Sequence, residues 1–578
     1  MKSFFGKNIT KLSLAIIALS LIGAILFLLI PAYELFGKII SYKFNEPERV
    51  DRIVFKYDRY LLVFGIFLFL VSWLEHSGWL KKLKNYLANF LEKLFVVFTF
   101  KFLLFITIVY LAVLFVIAST HYDLGVDEAW YIYYAENFAK TGLPFYDTNG
   151  KITVIDNISM LPYYLFSVIN FKLGLTDVFH FKILSSFFSV ITLLVLFITT
   201  KKIYSKRTAV LFLLFLVTQP GWGFLASSFF GEILQAAFLF GGLYVWLNSA
   251  NNFQTKKIIL ASVFFALAIH TKFQLLILLP ASLIILHFTD KNIKAMRVLY
   301  YTLGLTLLLI IIRTIPVLFY DPKLLKNLIL ITDFLAPSMP LPAFSFMMDK
   351  IQLFNRFFPL IMFLFSIVVF SYRLKSAFDK FLLIFTSVSI SWWILLYPLT
   401  TYRNPFMGII TLCLIIAILI ERIVISSENK LSLGIKYLCV VCGAGLLLYG
   451  FSTNIIYAYI GYNDGVQFDL AGDKNRLFME IKHDNTQREF NEKLKSMVVS
   501  ADTLYNAGFV TKCYTDNPVS NLQKLKDDLL KDGHERFVLV TCDNYSLDLS
   551  IGRNQIDSIA NKKLILKVGE NELYKVSK

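Results

Sequence analysis

The sequence predicts an all-α polytopic membrane protein of about thirteen transmembrane helices, followed by a small C-terminal α/β domain outside the membrane. Three observations carry this expectation. Of 578 residues, 57% are hydrophobic and only 17% are charged, where a soluble domain carries roughly 25%. Apolar runs of about twenty residues, the length that spans ~30 Å of hydrocarbon, recur along the chain. Short basic loops separate these runs, and a polar stretch with strand and helix patterns closes the sequence.

The elements follow in order. After Lys2, Lys7 and Lys11 an apolar run extends from Leu12 to about Tyr33 without an A-x-A cleavage signal, which reads as a retained anchor. Further spans fall near 60–78, 97–118, 179–200, 208–225, 231–249, 257–270, 272–288, 298–319, 355–372, 380–399, 405–421 and 434–456. Residues 257–288 fit either two spans or one long tilted helix. The first two spans form an N-terminal pair in 1–95, a core follows in 96–458, and 459–578 is the soluble α/β domain. In that tail Met497–Leu504 and Arg536–Thr541 read as strands with Asn521–Lys531 a helix between them. Leu564–Val568 and Glu572–Val576 flank Gly569-Glu570-Asn571 as a hairpin.

The net charge is +17. Its basic residues sit in short loops, the pattern of the positive-inside rule and of anionic headgroup contact rather than of nucleic-acid binding. With a cytoplasmic N-terminus the inside loops carry Lys81, Lys82 and Lys84, then Lys201, Lys202, Lys206 and Arg207. Lys256, Lys257, Lys291, Lys294, Arg297, Arg373, Lys375, Arg422, Lys430 and Lys436 continue the series. Residues 34–59 oppose it with Lys38, Lys43, Arg49, Arg52, Lys56 and Arg59 in an outside segment. Three sizeable segments then lie outside: 119–178, 320–354 and the tail from about 460. The first is semi-polar and aromatic, and reads as helices along the membrane interface. Cys413, Cys439 and Cys442 fall in apolar runs as small hydrophobes. Cys513 and Cys542, in the tail, are placed to pair in an oxidising space.

The segment Gly125-Val126-Asp127-Glu128-Ala129-Trp130-Tyr131 opens the first long outside loop. Two adjacent carboxylates in aromatic surroundings fit a general base whose pKa is raised by desolvation. They fit equally a helix start, where acidic residues complement the dipole. Arg313 lies within an apolar run, and an intramembrane ionisable residue is a functional candidate by default. His121, His270 and His287 show no ligand spacing for a metal.

Asp127-Glu128-Ala129 followed by Tyr134-Ala135-Glu136-Asn137-Phe138-Ala139-Lys140-Thr141-Gly142 resembles the first luminal loop of the GT-C superfamily. Protein O-mannosyltransferases and bacterial aminoarabinose transferases are the members it is most similar to, over about residues 97–420. Glu232, in Phe230-Gly231-Glu232-Ile233-Leu234, resembles the family's second acidic residue, with a helix-start carboxylate as the plain alternative. Lys272, in Ala268-Ile269-His270-Thr271-Lys272, and Arg403, in Thr401-Tyr402-Arg403-Asn404-Pro405, resemble the family's basic positions. For both, binding a donor phosphate competes with snorkelling to the interface. The Lys-Pro-Pro-Leu of aminoarabinose-type members is absent from Asp156-Asn157-Ile158-Ser159-Met160-Leu161-Pro162-Tyr163-Tyr164.

The resemblance implies an inverting glycosyltransferase in a bacterial inner or plasma membrane. It would move a sugar from a polyprenyl phosphate to a lipid, glycan or protein hydroxyl on the non-cytoplasmic face. Asp127 would be the base, with Glu128 and Glu232 as positioning carboxylates. Lys272 and Arg403 would hold the phosphate with Arg313 in reserve, and neither cofactor nor metal is implied. A secondary transporter and a non-catalytic scaffold or sensor are the alternatives. The first calls for symmetric halves, which the sequence lacks.

Overall fold

The computed structural model describes residues 14–22, 66, 69, 109, 131, 135, 138–139, 145–148, 151–154, 161–175, 178–219, 222, 225–226, 229–248, 255–290, 293–320, 360–372, 374–396, 405–422, 443, 447, 536–540, 561–568 and 571–576. Asp127, Glu128, Arg403, Cys513, Cys542, the strand expected at 497–504 and the helix expected at 521–531 lie outside them.

A helical bundle dominates. A hairpin, β1 (Phe145–Thr148) with β2 (Lys151–Val154), precedes α1 (Leu161–Lys172), α2 (Val178–Ile203), α3 (Lys206–Val217), α4 (Glu232–Asn248) and α5 (Thr255–Thr271). Then come α6 (Leu275–Asp290), α7 (Ile293–Tyr320), α8 (Leu360–Ser371), α9 (Ala377–Leu395) and α10 (Phe406–Ile420). Three described segments are long and apolar enough to cross a membrane: His180–Ile203, Ala295–Ile312 and Ala377–Leu395. Glu232–Trp246, Leu275–Thr289 and Phe406–Ile420 are apolar and shorter.

Residues 257–288 form two helices, α5 and α6, separated by a turn at Lys272–Gln274. The span expected over 208–225 stops at Val217, whose C-cap is Thr218. Gln219-Pro220-Gly221 explains the stop, because proline offers no N–H and disfavours helical backbone in the residue before it. The connection to α4 is therefore long rather than a short turn. It is also packed: Trp222, Leu225, Ala226 and Phe229 are fully buried, with Trp222 stacked on Phe406 at 6.1 Å.

In residues 119–178, expected to lie outside and to be helical, β1 and β2 pair antiparallel with Thr148 opposite Lys151. The two residues between them are Asn149-Gly150, the dipeptide most suited to a two-residue hairpin loop. In the tail the expected hairpin is present as β4 (Lys562–Val568) and β5 (Asn571–Val576). The strand β3 (Arg536–Val540) adds to it in the order β3-β5-β4, all antiparallel.

Two features fix the bundle. Helices α2 and α4 run side by side in the same direction, with Thr192 and Thr199 of α2 donating to the carbonyls of Ile233 (3.1 Å) and Phe240 (3.3 Å). The seven-residue stride on both helices keeps the two hydroxyls on one seam. On its other side α4 meets α5 so closely that a Cβ at Gly242 would sit 2.6 Å from the Phe265 ring. Helix α10, whose only polar side chain is Thr411, is buried at every one of its 15 positions, as so apolar a helix must be unless it faces lipid.

The bundle end that gathers the α2–α3 turn, the start of α9 and the end of α10 carries a polar clamp. Arg422 makes a bidentate pair with Asp379 (2.9 and 3.1 Å), and Tyr204 donates to the same carboxylate at 2.6 Å. Asp379 also accepts from the backbone N–H of Lys375 and Ser376 in a capping box that starts α9. The Arg422 guanidinium lies over the Tyr204 ring, 5.6 Å from its centroid. Burial and the Asp379 charge push the Tyr204 phenol well above its usual pKa, so it stays a donor. Next to it Ser205 (2.6 Å) and Thr208 donate to Glu421. Arg422, expected among the basic residues of an inside loop, is thus a part-buried structural partner, its side chain 12% exposed.

Replacing the buried Asp379 by Ala leaves the part-buried Arg422 without its carboxylate, and should lower stability in detergent unfolding by about 3 kcal/mol. Adding Arg422→Met should recover much of that loss. Gly242→Ala should cost about 1–3 kcal/mol in the same assay, through the collision with Phe265.

Candidate functional site

The opposite end of the bundle holds the first residue of α4 and the last turn of α5. Glu232 occupies the N-terminal position of α4, where the helix dipole favours an anion. Lys272 follows Thr271, the last residue of α5, where the dipole favours a cation. The two side chains meet in an ion pair between Lys272 Nζ and Glu232 Oε1. One candidate for the carboxylate role and one for the phosphate role are thus brought into direct contact.

Burial makes the pair asymmetric. The Glu232 side chain is 3% exposed and that of Lys272 14%. A carboxylate so enclosed requires a partner, since the desolvation cost of either charge alone is several kcal/mol. The more open ammonium is the part of the pair that an arriving anion can reach.

Gln235, one turn into α4 and buried, locks the arrangement. Its Nε2 donates to the carbonyls of Ala268 (3.2 Å) and Lys272 (2.7 Å), which also accept from the backbone N–H groups of Lys272 (3.2 Å) and Leu275 (3.4 Å). His270, also buried, donates from Nε2 to the Thr306 carbonyl of α7 at 3.2 Å. That contact ties α5 to α7 and agrees with a structural role for this histidine. Among the described residues no three His, Cys, Asp or Glu side chains gather as a metal-ligand set.

Aromatic contacts bring the segment expected as the first outside loop to this end. Tyr131 packs edge-on against Phe230 at 6.3 Å, and Phe230 precedes Glu232 by two residues. Phe138 meets Tyr164 of α1 at 6.1 Å. Asp127 and Glu128 stand four and three positions before Tyr131 in the sequence. Arg313 belongs to α7, the helix to which His270 of α5 is bonded.

Two polar residues escaped the sequence reading. Lys182, in the second turn of α2, is 5% exposed. It lies ten positions before Thr192, roughly 15 Å further out along the helix. A lysine inside an otherwise apolar run was its signal. Asp379 was announced by Ser376-x-x-Asp379 ahead of an apolar run, a capping-box pattern.

Residues 161–320, from α1 to the end of α7, match the family described as dolichyl-phosphate-mannose-protein mannosyltransferase. Both Glu232 and Lys272 fall inside that stretch. The structure is similar to that of ArnT from Cupriavidus metallidurans bound to undecaprenyl phosphate, with a TM-score of 0.56 and 11% identity. The likeness covers 82% of this chain and 98% of that one. The apo form of the same protein gives a TM-score of 0.54 at 11% identity and the same coverage. No curated protein matches the sequence.

Replacing Gln235 by Leu removes both amide bonds to the end of α5 and should lower stability by about 2 kcal/mol. A loss below about 0.5 kcal/mol in detergent unfolding would mean that the backbone N–H groups of Lys272 and Leu275 are partners enough for the two carbonyls.

Proposed function

We propose, from the GT-C glycosyltransferase fold that this chain has, that it transfers a sugar from a polyprenyl-phosphate donor to an acceptor hydroxyl on the non-cytoplasmic face. The observation that carries the proposal is the part-buried Glu232–Lys272 pair, with its lysine the more open partner, inside the stretch that matches the mannosyltransferase family. A cation anchored at a helix end is what the phosphate of such a donor needs. The structural neighbour bound to undecaprenyl phosphate supports a lipid phosphate of that class.

The acceptor hydroxyl attacks the anomeric carbon while the carboxylate of Asp127 takes its proton. The bond from that carbon to the phosphate oxygen breaks, and its electron pair leaves with the polyprenyl phosphate. Glu128 positions the base or the acceptor. Lys272 and Arg403, with Arg313 behind them, stabilise the charge that grows on the departing phosphate. A single displacement inverts the anomeric centre. Fixed cations take the role that a divalent ion plays for pyrophosphate donors, so the scheme calls for no metal.

The same proposal includes about thirteen spans, a cytoplasmic N-terminus, a bacterial inner or plasma membrane and an extracytoplasmic domain over 459–578. Support for the orientation comes from charge. Lys201, Lys202, Lys206, Lys256 and Lys257 cluster at helix ends on the side opposite Glu232 and Lys272.

Purified protein, given a panel of polyprenyl-phosphate sugars and membrane extract as acceptor, should release free polyprenyl phosphate and keep doing so in chelator. Asp127→Asn should lower turnover by about 10²–10⁴-fold with little change in donor affinity. Well-folded protein that turns over no donor would sink the proposal and leave the transporter and scaffold alternatives. Full turnover in Asp127→Asn would remove the base and keep the reaction.

A further inference from the structure

We propose that Glu232 is the resident counter-ion of the phosphate site, and that its charge makes the site favour a singly charged lipid phosphodiester over a doubly charged lipid phosphomonoester. This rests on Lys272 being a phosphate ligand, as proposed above.

The geometry leads there in three steps. Lys272 is already paired with Glu232. Glu232 is rooted in the first turn of α4, and Gln235 of the same helix is bonded to the carbonyls of Ala268 in α5 and of Lys272 itself. The backbone positions that carry the two charges are therefore held next to one another. Finally, the carboxylate is the more deeply enclosed partner, so an anion reaches the lysine while the glutamate remains beside it.

An anion on Lys272 thus shares the cation with a carboxylate a few ångströms away. At that range, near a protein surface, each added unit of negative charge is repelled strongly. A phosphodiester brings one charge, whereas a phosphomonoester brings close to two once its second proton is lost near pH 6. In the proposed transfer the diester is the donor and the monoester is the product. The reaction therefore creates its extra charge beside Glu232. That carboxylate loosens the spent lipid more than it loosens the incoming one, which aids release, a step that often limits turnover.

The test uses two probes with the same lipid chain, undecaprenyl phosphate and its methyl phosphodiester, bound to the full-length protein in detergent near pH 8. Glu232→Gln should bind the monoester about tenfold tighter and the diester only about threefold tighter, shifting the preference toward the monoester. Glu232→Asp, which keeps the charge, should retain the wild-type preference. A preference unchanged in Glu232→Gln overturns the inference. Glu232→Met, neutral and of similar volume, gives the same comparison if the glutamine variant is not recovered folded. Lys272→Met separates the two levels of the proposal, since it should weaken both probes by about tenfold or more. Unweakened binding there would overturn the phosphate assignment, and the counter-ion role with it. Weakened binding in Lys272→Met together with an unchanged preference in Glu232→Gln would overturn the counter-ion role alone.

Discussion

An apolar bundle can bury an ionisable side chain only where an opposite charge and a set of hydrogen bonds are already waiting. That constraint shapes both ends of this protein. At one end Asp379 collects two guanidinium nitrogens, a phenol and two backbone N–H groups. At the other, Glu232 and Lys272 oppose one another across the ends of α4 and α5. Both pairs sit where helix dipoles are unspent: Asp379 and Glu232 in first turns, Lys272 and Arg422 just past last turns. The backbone thus contributes to each pair before any side chain does.

The ends differ in completeness. The Asp379 clamp joins the α2–α3 turn to α9 and α10, and its carboxylate is fully buried. It has the character of a rivet. The Glu232–Lys272 pair joins two adjacent helices and leaves its cation partly open. The two cations are exposed alike, 12% for Arg422 and 14% for Lys272, so the clamp is the more rigid end because it ties more elements together. The parallel α2–α4 seam, with two threonine hydroxyls bonded seven residues apart, carries that rigidity between them.

The bundle was legible in the sequence because hydropathy measures the property that makes a helix partition from water. Helices α2 and α4–α10 each occupy an expected apolar run to within a few residues. What hydropathy missed was partnership. Arg422 counted as a loop cation because nothing local announces a carboxylate 43 residues upstream. Glu232 and Lys272 were singled out separately, by resemblance, yet their contact across 40 positions is a property of the fold. Other misses had local signals that went unread: Asn149-Gly150 for the β1–β2 hairpin, Pro220 for the early end of α3, Ser376-x-x-Asp379 for the clamp. The β4–β5 hairpin was readable for the opposite reason, since its alternation and its glycine turn are local.

The clamp also sets a timetable for synthesis. Tyr204 waits for a partner 175 residues later, and Ser205 for one 216 residues later. At about 5–20 residues per second the ribosome needs roughly 10–35 s to supply Asp379 after Tyr204. During that interval the α2–α3 turn exists with its hydroxyls open, tolerable only because they stand at a helix end rather than at mid-bundle. Arrival of α9 and α10 then closes the turn, so the nascent chain stays unsealed until about residue 422 has emerged.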